Sequence, residues 1–253
     1  MSRQILNKNY FSRRNNKKYM GSSQFKAFCE CEAAALHSIK TGASEKPTKS
    51  MLIGSYVDAY FSGELDDFTI THPEIFTKSG RLLADFEHAR YIISRIERDK
   101  MFMKYLNGGA QVIKTGTIAG VPFKIKIDSY HDGRAIVDLK IVRDFEPVWA
   151  PGKGKINFIE YWGYDIQAAI YQEIEGNKLP FFIAAATKEP EPDIDIFQIP
   201  QHVIDVAAEK VHKLAPHFQA VKTGIELPVR CGKCDYCKRT KKIERIRSMD
   251  ELC

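Results

Sequence analysis

The chain has no apolar run long enough to cross a bilayer. Of its 253 residues, 44% are hydrophobic and 28% are charged, and no stretch approaches the roughly 20 uninterrupted apolar residues of a transmembrane helix. Residues 1–20 also lack the apolar core of a secretory signal. These absences predict a cytoplasmic protein with no membrane partner, in which thiols stay reduced. The six cysteines are therefore expected to be free thiols or metal ligands, not disulfides.

Acidic residues are absent from the first 20 positions, which contain six basic ones. A second basic segment, residues 238–247, has six basic residues and one acid. The whole chain has 38 Lys and Arg against 32 Asp and Glu, so the positive excess is concentrated at the two ends. Such ends are typical of proteins that bind a polyanion, although solvated termini without a partner give the same pattern.

The spacing of apolar residues predicts a mixed fold. Helical spacing predicts helices at residues 22–39, 50–61, 82–105, 158–175 and 201–221, the last interrupted near Pro216. Alternation predicts strands at residues 111–118, 121–130, 134–142, 181–187 and 193–199. Residues 63–80 are expected to be irregular. This order of elements predicts an α/β or α+β fold, with helices flanking a central mixed β-sheet in one domain.

The second and third predicted strands contain two carboxylates and an ammonium. Asp128 ends one strand and Asp138 lies in the next, and because side chains alternate along a strand, Lys140 shares a face with Asp138. Lys124 and Lys126 share a face with Asp128. Carboxylate oxygens suit Mg²⁺, which also contacts substrate phosphate, and a metal-bound water can attack a phosphodiester. An exposed hairpin with an ordinary Asp–Lys pair is the alternative, and composition alone favours it.

The segment Asp138-Leu-Lys140, ten residues after Asp128, resembles the D…(D/E)-x-K core of the PD-(D/E)XK nucleases. Ile127 stands where the consensus has proline. The resemblance implies the restriction-endonuclease-like core of that superfamily. It further implies that Asp128 and Asp138 hold Mg²⁺ or Mn²⁺, assisted by the Leu139 carbonyl, while Lys140 positions or deprotonates the attacking water.

Two further segments extend the resemblance. Gln167 and Tyr171, four residues apart on one helix face, resemble the Q-x-x-x-Y helix of RecB-type and RecE-type members, which implies that they line the groove. Trp162, on the opposite stripe of this helix, is expected in the core. Gly54-Ser-Tyr-Val-Asp58 resembles the G-x-x-x-H segment of RecE-like exonucleases. Asp58 replaces the metal-binding histidine and is a candidate third ligand, with an ordinary exposed acid as the alternative.

The resemblance covers residues 22–199 and is closest to the RecE-like exonucleases (exodeoxyribonuclease VIII type) of phages and prophages. It implies 5′→3′ digestion of linear duplex DNA in a bacterial host, a single-strand annealing protein of the RecT type as partner, and a ring-shaped homo-oligomer. The candidates for contact with DNA are Arg13, Arg14, Lys17, Lys18, Lys124 and Lys126. A structure-specific endonuclease and a catalytically inactive DNA-binding module for recombination are the alternatives.

Residues 231–237 form a C-x2-C-x2-C cluster. Three thiolates do not complete a tetrahedral structural site, so a fourth ligand is needed. In AddB-type and CRISPR-associated relatives of the nucleases, an N-terminal cysteine joins three C-terminal ones around a [4Fe–4S] cluster. Cys31 matches that cysteine and Cys29 is next best, while Cys253 or unligated thiols are the alternatives. The expected ligands of an Fe–S cluster or Zn²⁺ are Cys31, Cys231, Cys234 and Cys237.

These patterns divide the chain into three parts. Residues 1–20 are expected to form a basic N-terminal arm, and residues 21–225 the PD-(D/E)XK domain. Residues 226–253 are expected to form a cysteine-rich basic segment that packs on the domain.

Overall fold

The computed structural model describes residues 5–42, 47–243, 245–246 and 248–252. Its helices are α1 (Arg13–Lys18), α2 (Ser22–Glu30), α3 (Glu32–Thr41), α4 (Lys49–Phe61), α5 (Leu65–Thr71), α6 (Ala84–Glu97), α7 (Lys100–Leu106), α8 (Phe158–Tyr161), α9 (Tyr164–Glu175), α10 (Gln201–Thr223) and α11 (Asp235–Arg239). Its strands are β1 (Gly109–Ile118), β2 (Val121–His131), β3 (Ala135–Val142), β4 (Val148–Ala150), β5 (Gly154–Ile156), β6 (Phe181–Thr187) and β7 (Ile194–Ile199). Within these ranges, no helix is long and apolar enough to span a membrane.

Five strands form one mixed sheet in the order β1-β2-β3-β6-β7. β3 and β6 are parallel, and the other neighbours are antiparallel. A parallel pair needs a crossover connection, and α8 and α9 provide it between β3 and β6. The expected central mixed sheet is confirmed, and all five of its strands were predicted. β4 and β5 pair only with each other, and this hairpin was not predicted.

Both faces of the sheet are buried under helices. Ile136 packs in a core with residues of α2, α9 and α10, whereas its neighbour Val137 packs in a second core with residues of α4 and α6. Successive residues of a strand point to opposite faces, so the two cores lie on opposite sides of the sheet. Helices therefore flank the sheet on both faces, as the sequence predicts.

β2 and β3 pair over only three residues each. Their ladder joins Ser129–His131 to Ala135–Val137 and goes no further. Along the free edge of β2, the Met20 amide donates to the Pro122 carbonyl at 2.8 Å, and the Met20 carbonyl accepts from the Lys124 amide at 2.9 Å. The two strands thus diverge and leave a fork, and the end of the N-terminal arm covers one side of it.

The described part of the arm is packed on the domain. Tyr10 is 7% exposed, and its hydroxyl donates to the Lys124 carbonyl at 3.3 Å. The Lys124 ammonium donates in turn to the Tyr10 carbonyl and to Asn16 Oδ1, the latter at 2.7 Å. Lys222 in α10 donates to the Tyr19 carbonyl at 2.8 Å. Residues 5–20 therefore belong to the folded domain, while residues 1–4 of the expected arm lie outside the described residues.

Two helices of the sequence prediction are each divided into two shorter helices. The helix predicted at residues 22–39 is divided at Cys31, which has extended backbone torsions (φ −163°, ψ 106°). The helix predicted at residues 82–105 ends at Glu97. A new helix then begins after Asp99, whose carboxylate accepts the Phe102 amide at 2.8 Å. Asp is a preferred residue for such a cap.

The helix predicted at residues 158–175 is broken at Gly163, whose φ of 63° is left-handed and favours glycine. The break changes the helical register, so α8 and α9 do not share one apolar stripe. Trp162, expected in the core, is 55% exposed, and that prediction is wrong.

Two further expectations are wrong. α10 continues through Pro216, although proline removes one helical hydrogen bond. The adjacent buried residues Ala215 and Phe218 pack in the core, and this packing holds the helix together. Residues 63–80, expected to be irregular, contain α5.

Neighbouring aromatic residues test the packing of the arm. Tyr10→Ala removes a buried ring and its hydrogen bond, so we expect the free energy of unfolding to fall by about 3 kcal/mol. Phe11→Ala is the matched control, because Phe11 is 67% exposed, and its effect should stay within about 0.5 kcal/mol. Urea denaturation measures both. Equal effects of the two substitutions would contradict a packed arm.

Candidate active site

A cleft of about 1010 Å³ opens at the fork between β2 and β3. Its lining includes residues from the arm, α2, α4, β2, β3 and α9, which lie far apart in the sequence. The predicted residues among them are Asp58, Lys124, Lys126, Asp128, Asp138, Leu139, Lys140, Gln167 and Tyr171.

Asp138 is held from two sides. Gln167 Nε2 in α9 donates to Asp138 Oδ1 at 2.6 Å. Asp138 Oδ2 forms an ion pair with the Lys140 ammonium, but it is buried and accepts no aligned hydrogen bond. The carboxylate therefore has a fixed orientation and one oxygen with capacity for a further ligand.

Asp128 bridges the fork. Its Oδ2 accepts the backbone amide of Leu139 at 3.0 Å, at the level where β2 no longer pairs with β3. Burial raises the pKa of Asp128 well above its usual range, and the negative charges of Asp138 and Asp58 add to this rise. The site thus concentrates negative charge in a place that water reaches poorly, and a cation there relieves the repulsion.

Lys140 is the cation next to these carboxylates. Burial lowers its pKa, but the charges of Asp138 and Asp128 outweigh burial, so the pKa is raised overall. A lysine acts as a base only when its pKa is lowered. The surroundings of Lys140 therefore favour a protonated side chain that positions other groups.

Asp58 in α4 lines the same cleft, and Gln111 Nε2 lies 3.4 Å from its Oδ1. Burial raises the pKa of Asp58, and Lys126 and Lys140 oppose that rise. The donor set suits Mg²⁺ or Mn²⁺, which prefer carboxylate and carbonyl oxygens.

Tyr171 in α9 lines the cleft and connects α9 to β2. Its hydroxyl donates to the Lys126 carbonyl in β2 at 2.9 Å, and burial raises the pKa of the hydroxyl well above its usual range. In this structure the hydroxyl is thus bonded to the chain itself, so Tyr171 fixes β2 relative to α9.

The basic residues expected to contact DNA divide into two groups. On α1, Arg13, Arg14, Lys17 and Lys18 are exposed, and Arg13 also donates to the Lys40 carbonyl. Lys126 is half-buried and donates to Asn7 Oδ1 at 3.2 Å. Lys124 is only 2% exposed. Contrary to the expectation that it contacts DNA, its ammonium anchors the arm.

Lys26 lines the cleft but was not singled out from the sequence. Its ammonium, in α2, donates to the Trp162 carbonyl at 3.0 Å. Burial lowers its pKa to about 8, and the nearby charge of Lys140 contributes. No sequence signal identifies Lys26, because the cleft residues that it contacts, Trp162 and Tyr164, are more than 100 positions away.

The four predicted cysteine ligands form a second candidate site. The Sγ atoms of Cys31, Cys231, Cys234 and Cys237 all lie within 4.8 Å of one another. Cys31 is buried, whereas Cys29 is exposed. The extended backbone at the break between α2 and α3 belongs to Cys31, the member of the group that is distant in sequence. Cys253, an alternative ligand, lies outside the described residues.

The surroundings of the cysteines act on two of the thiols in opposite directions. Hydrogen bonds from the backbone amides of Cys234 and Lys233 lower the pKa of Cys231 to about 6, which favours the thiolate that binds metal. At Cys234, by contrast, a backbone hydrogen bond is outweighed by burial and by hydrogen bonds with the other thiols, which raise its pKa. Glu32, next to Cys31, accepts the Val229 amide at 2.8 Å. The C-terminal segment is thus attached to α3 by both the cysteine cluster and this hydrogen bond.

Comparisons with known proteins agree with this arrangement. Residues 21–240 match the PDDEXK-like domain of unknown function (DUF3799). The chain is also similar to a protein from Eubacterium rectale whose crystal structure at 2.19 Å resolution is described as a "Putative exonuclease". The two are 42% identical, with a TM-score of 0.94, over 99% of this chain and 98% of that one. No curated protein matches. The matched residues 21–240 include the four cysteines and all the predicted residues of the cleft, but not the part of the arm that lines it.

Proposed function

Because the chain belongs to the family of the PDDEXK-like domain of unknown function (DUF3799), we propose that it is a metal-dependent deoxyribonuclease that digests DNA from a free end. The family and the similar structure support a nuclease, which hydrolyses phosphodiester bonds. The observation that carries the proposal is the fork, at which Asp128, Asp138 and Lys140 meet with Gln167 in one cleft.

In this proposal, Asp128, Asp138 and the Leu139 carbonyl would hold Mg²⁺ or Mn²⁺, with Asp58 as a candidate further ligand. Such an ion, when bound, would lower the pKa of a water and offset phosphate charge. Gln167 occupies one Asp138 oxygen, which would leave the other for the ion. The Lys140 ammonium orients the attacking water and stabilises the charge that develops at phosphorus.

Finer features of the proposal rest on the resemblance of residues 22–199 to the RecE-like exonucleases. They are 5′→3′ polarity, a duplex substrate with a free end, an annealing partner of the RecT type, a ring-shaped oligomer, and a phage or prophage origin with action in the bacterial cytoplasm. The exposed cations of α1 are suited to contact the phosphates of the substrate. Because the three groups Asp128, Asp138 and Lys140 are all intact, the proposal favours an enzyme over an inactive DNA-binding module.

End dependence separates an exonuclease from an endonuclease. We expect Mg²⁺ to support digestion of end-labelled linear duplex DNA, and EDTA to abolish it, while covalently closed circular duplex stays intact. Gel electrophoresis of both substrates measures this. Cleavage of the closed circle would favour the endonuclease, and no cleavage of any DNA with Mg²⁺ or Mn²⁺ would favour the inactive module.

Asp138→Asn keeps the shape of the side chain but removes its charge. We expect the rate of DNA cleavage to fall on the order of 100-fold or more, about 3 kcal/mol of transition-state stabilisation. Asp144→Asn is the matched control, because Asp144 also lines the cleft but is paired with Arg143, and its rate should stay within a few-fold of wild type. An active Asp138→Asn enzyme would place the metal site elsewhere.

We further propose that the four cysteines hold Zn²⁺ in preference to an Fe–S cluster. A Zn–S distance of about 2.3 Å gives a tetrahedron whose sulfurs are about 3.8 Å apart. The Sγ separations of 3.5 Å between Cys31 and Cys237, and 3.9 Å between Cys231 and Cys237, are close to that value. A [4Fe–4S] cluster interposes iron and sulfide atoms between the thiolates and would hold them much farther apart.

The two cysteines near the α2–α3 break provide a matched test. Cys31→Ser should lower both the zinc content and the melting temperature, because an incomplete site no longer attaches the C-terminal segment. Cys29→Ser should change neither. Metal analysis and thermal melting of the purified variants measure this. Brown protein with stoichiometric iron would favour an Fe–S cluster. Metal-free wild-type protein, together with a Cys31→Ser variant that melts at the wild-type temperature, would exclude both zinc and an Fe–S cluster at the cysteines.

A further inference from the structure

Both tryptophans of the chain are exposed. Trp162 is 55% exposed and Trp149 is 69% exposed, although tryptophan is highly buried on average. Trp162 lines the candidate active-site cleft, whereas Trp149, in the β4–β5 hairpin, does not line it. An exposed indole beside a candidate catalytic centre is a surface that a flat ligand can cover.

The backbone of Trp162 is fixed in place. Its amide donates to the Phe158 carbonyl at 3.0 Å, and its carbonyl accepts from the Lys26 ammonium at 3.0 Å. The next residue, Gly163, has a left-handed φ of 63°, and a Cβ there would lie 2.9 Å from Lys26 Cδ. Because this turn is held from several sides, the exposed ring is presented on a rigid support, which lowers the entropy cost of binding.

A second exposed aromatic residue lines the same cleft. Phe11 in the arm is 67% exposed, and the Lys126 ammonium lies 5.4 Å from the centre of its ring. The packed neighbour Tyr10 contacts Phe11 edge-on, with ring centres 4.9 Å apart. Phe11 and Trp162 therefore bring accessible aromatic rings from distant parts of the chain to the cleft, and Tyr161, 40% exposed, also lines it.

Cations accompany these rings. The cleft is lined by six cationic side chains and four carboxylates. Lys26 and Lys188 bond to a backbone carbonyl and to a serine hydroxyl, respectively, so their charges are not neutralised by those hydrogen bonds. Accessible aromatic rings combined with cations are the surface that binds single-stranded nucleic acid, since the rings stack on bases and the cations attract phosphates.

We propose that Trp162 and Phe11 stack on unpaired bases, so that the strand to be cut crosses the carboxylates as single-stranded DNA. Inside an intact duplex each base is stacked on both of its neighbours, and only a terminal base pair leaves one face free for a side chain. This inference rests on the proposed nuclease function and specifies the form in which the cut strand reaches the carboxylates, which is unpaired, whether it comes from a duplex end or from a free single strand.

Single-tryptophan variants report on this contact. Trp149→Phe leaves Trp162 as the sole tryptophan, and Trp162→Phe leaves Trp149. With ten-nucleotide oligo(dT) in EDTA and low salt, we expect strong quenching of Trp162 emission and little change at Trp149. A blunt hairpin duplex should quench Trp162 weakly. Equal responses of the two tryptophans, or a stronger response of Trp162 to the duplex, would overturn the proposal.

Affinity provides an independent measurement. Trp162→Ala should weaken oligo(dT) binding by roughly 5-fold or more, and Trp162→Phe, which keeps a flat ring, should restore most of it. Because the side chain is exposed, the melting temperature should not change. Wild-type affinity of folded Trp162→Ala protein would overturn the proposal.

Cleavage assays distinguish failure of this proposal from failure of the nuclease function. Asp138→Asn protein should lose cleavage but keep the quenching of Trp162. Cleavage of DNA with Mg²⁺, without quenching of Trp162 emission, would overturn base stacking but not the nuclease function. Quenching without cleavage by the wild-type protein would support base stacking and overturn the nuclease function.

Discussion

The backbone amide of Leu139 has no strand partner on the β2 side, and the site depends on how that deficit is met. A buried amide without an acceptor is costly, and β2 has already diverged from β3 at this level. The Asp128 carboxylate accepts the amide. One hydrogen bond therefore keeps the fork open without an unsatisfied donor, and it also holds Asp128 close to the Asp138–Lys140 pair.

The buried carboxylates at the fork need positive charge beside them. Buried carboxylates repel one another, and the raised pKa of Asp128 reflects both burial and that repulsion. Lys140 offsets part of the negative charge, and a divalent cation would offset more. The polar groups around the fork, Gln167 and Tyr171, are bonded to Asp138 and to β2. They restrict the geometry in which that cation and the substrate phosphate can meet.

Local patterns in the sequence predicted the parts of the site that local geometry determines. Alternation along strands placed Asp138 and Lys140 on one face, and four-residue spacing placed Gln167 and Tyr171 together. The C-x2-C-x2-C spacing indicated three of the cysteine ligands, and the resemblance to AddB-type and CRISPR-associated nucleases indicated Cys31 instead of Cys29 as the fourth; the structure brings these four together. These relations depend on periodicity or on a motif, and both are readable from one chain.

The remaining features depend on contacts between distant residues. The arm is packed because Lys124 and Lys222 donate to its carbonyls, and nothing in a run of basic residues indicates such partners. Trp162 is exposed because Gly163 adopts a left-handed conformation next to Lys26. Glycine permits that conformation but does not require it, so the break in the helix could not be predicted. Pro216 is the reverse case, in which core packing outweighs a local signal against a helix.

Met20 pairs with an edge of the β-sheet that would otherwise be open. A strand with unpaired amides and carbonyls is a template on which another chain can add a strand, and the divergence of β3 leaves such an edge along the first half of β2. The two hydrogen bonds of Met20 occupy that edge, and its buried side chain holds the segment there. The N-terminal residues thus cover an edge to which another strand could otherwise pair, a role unrelated to their charge.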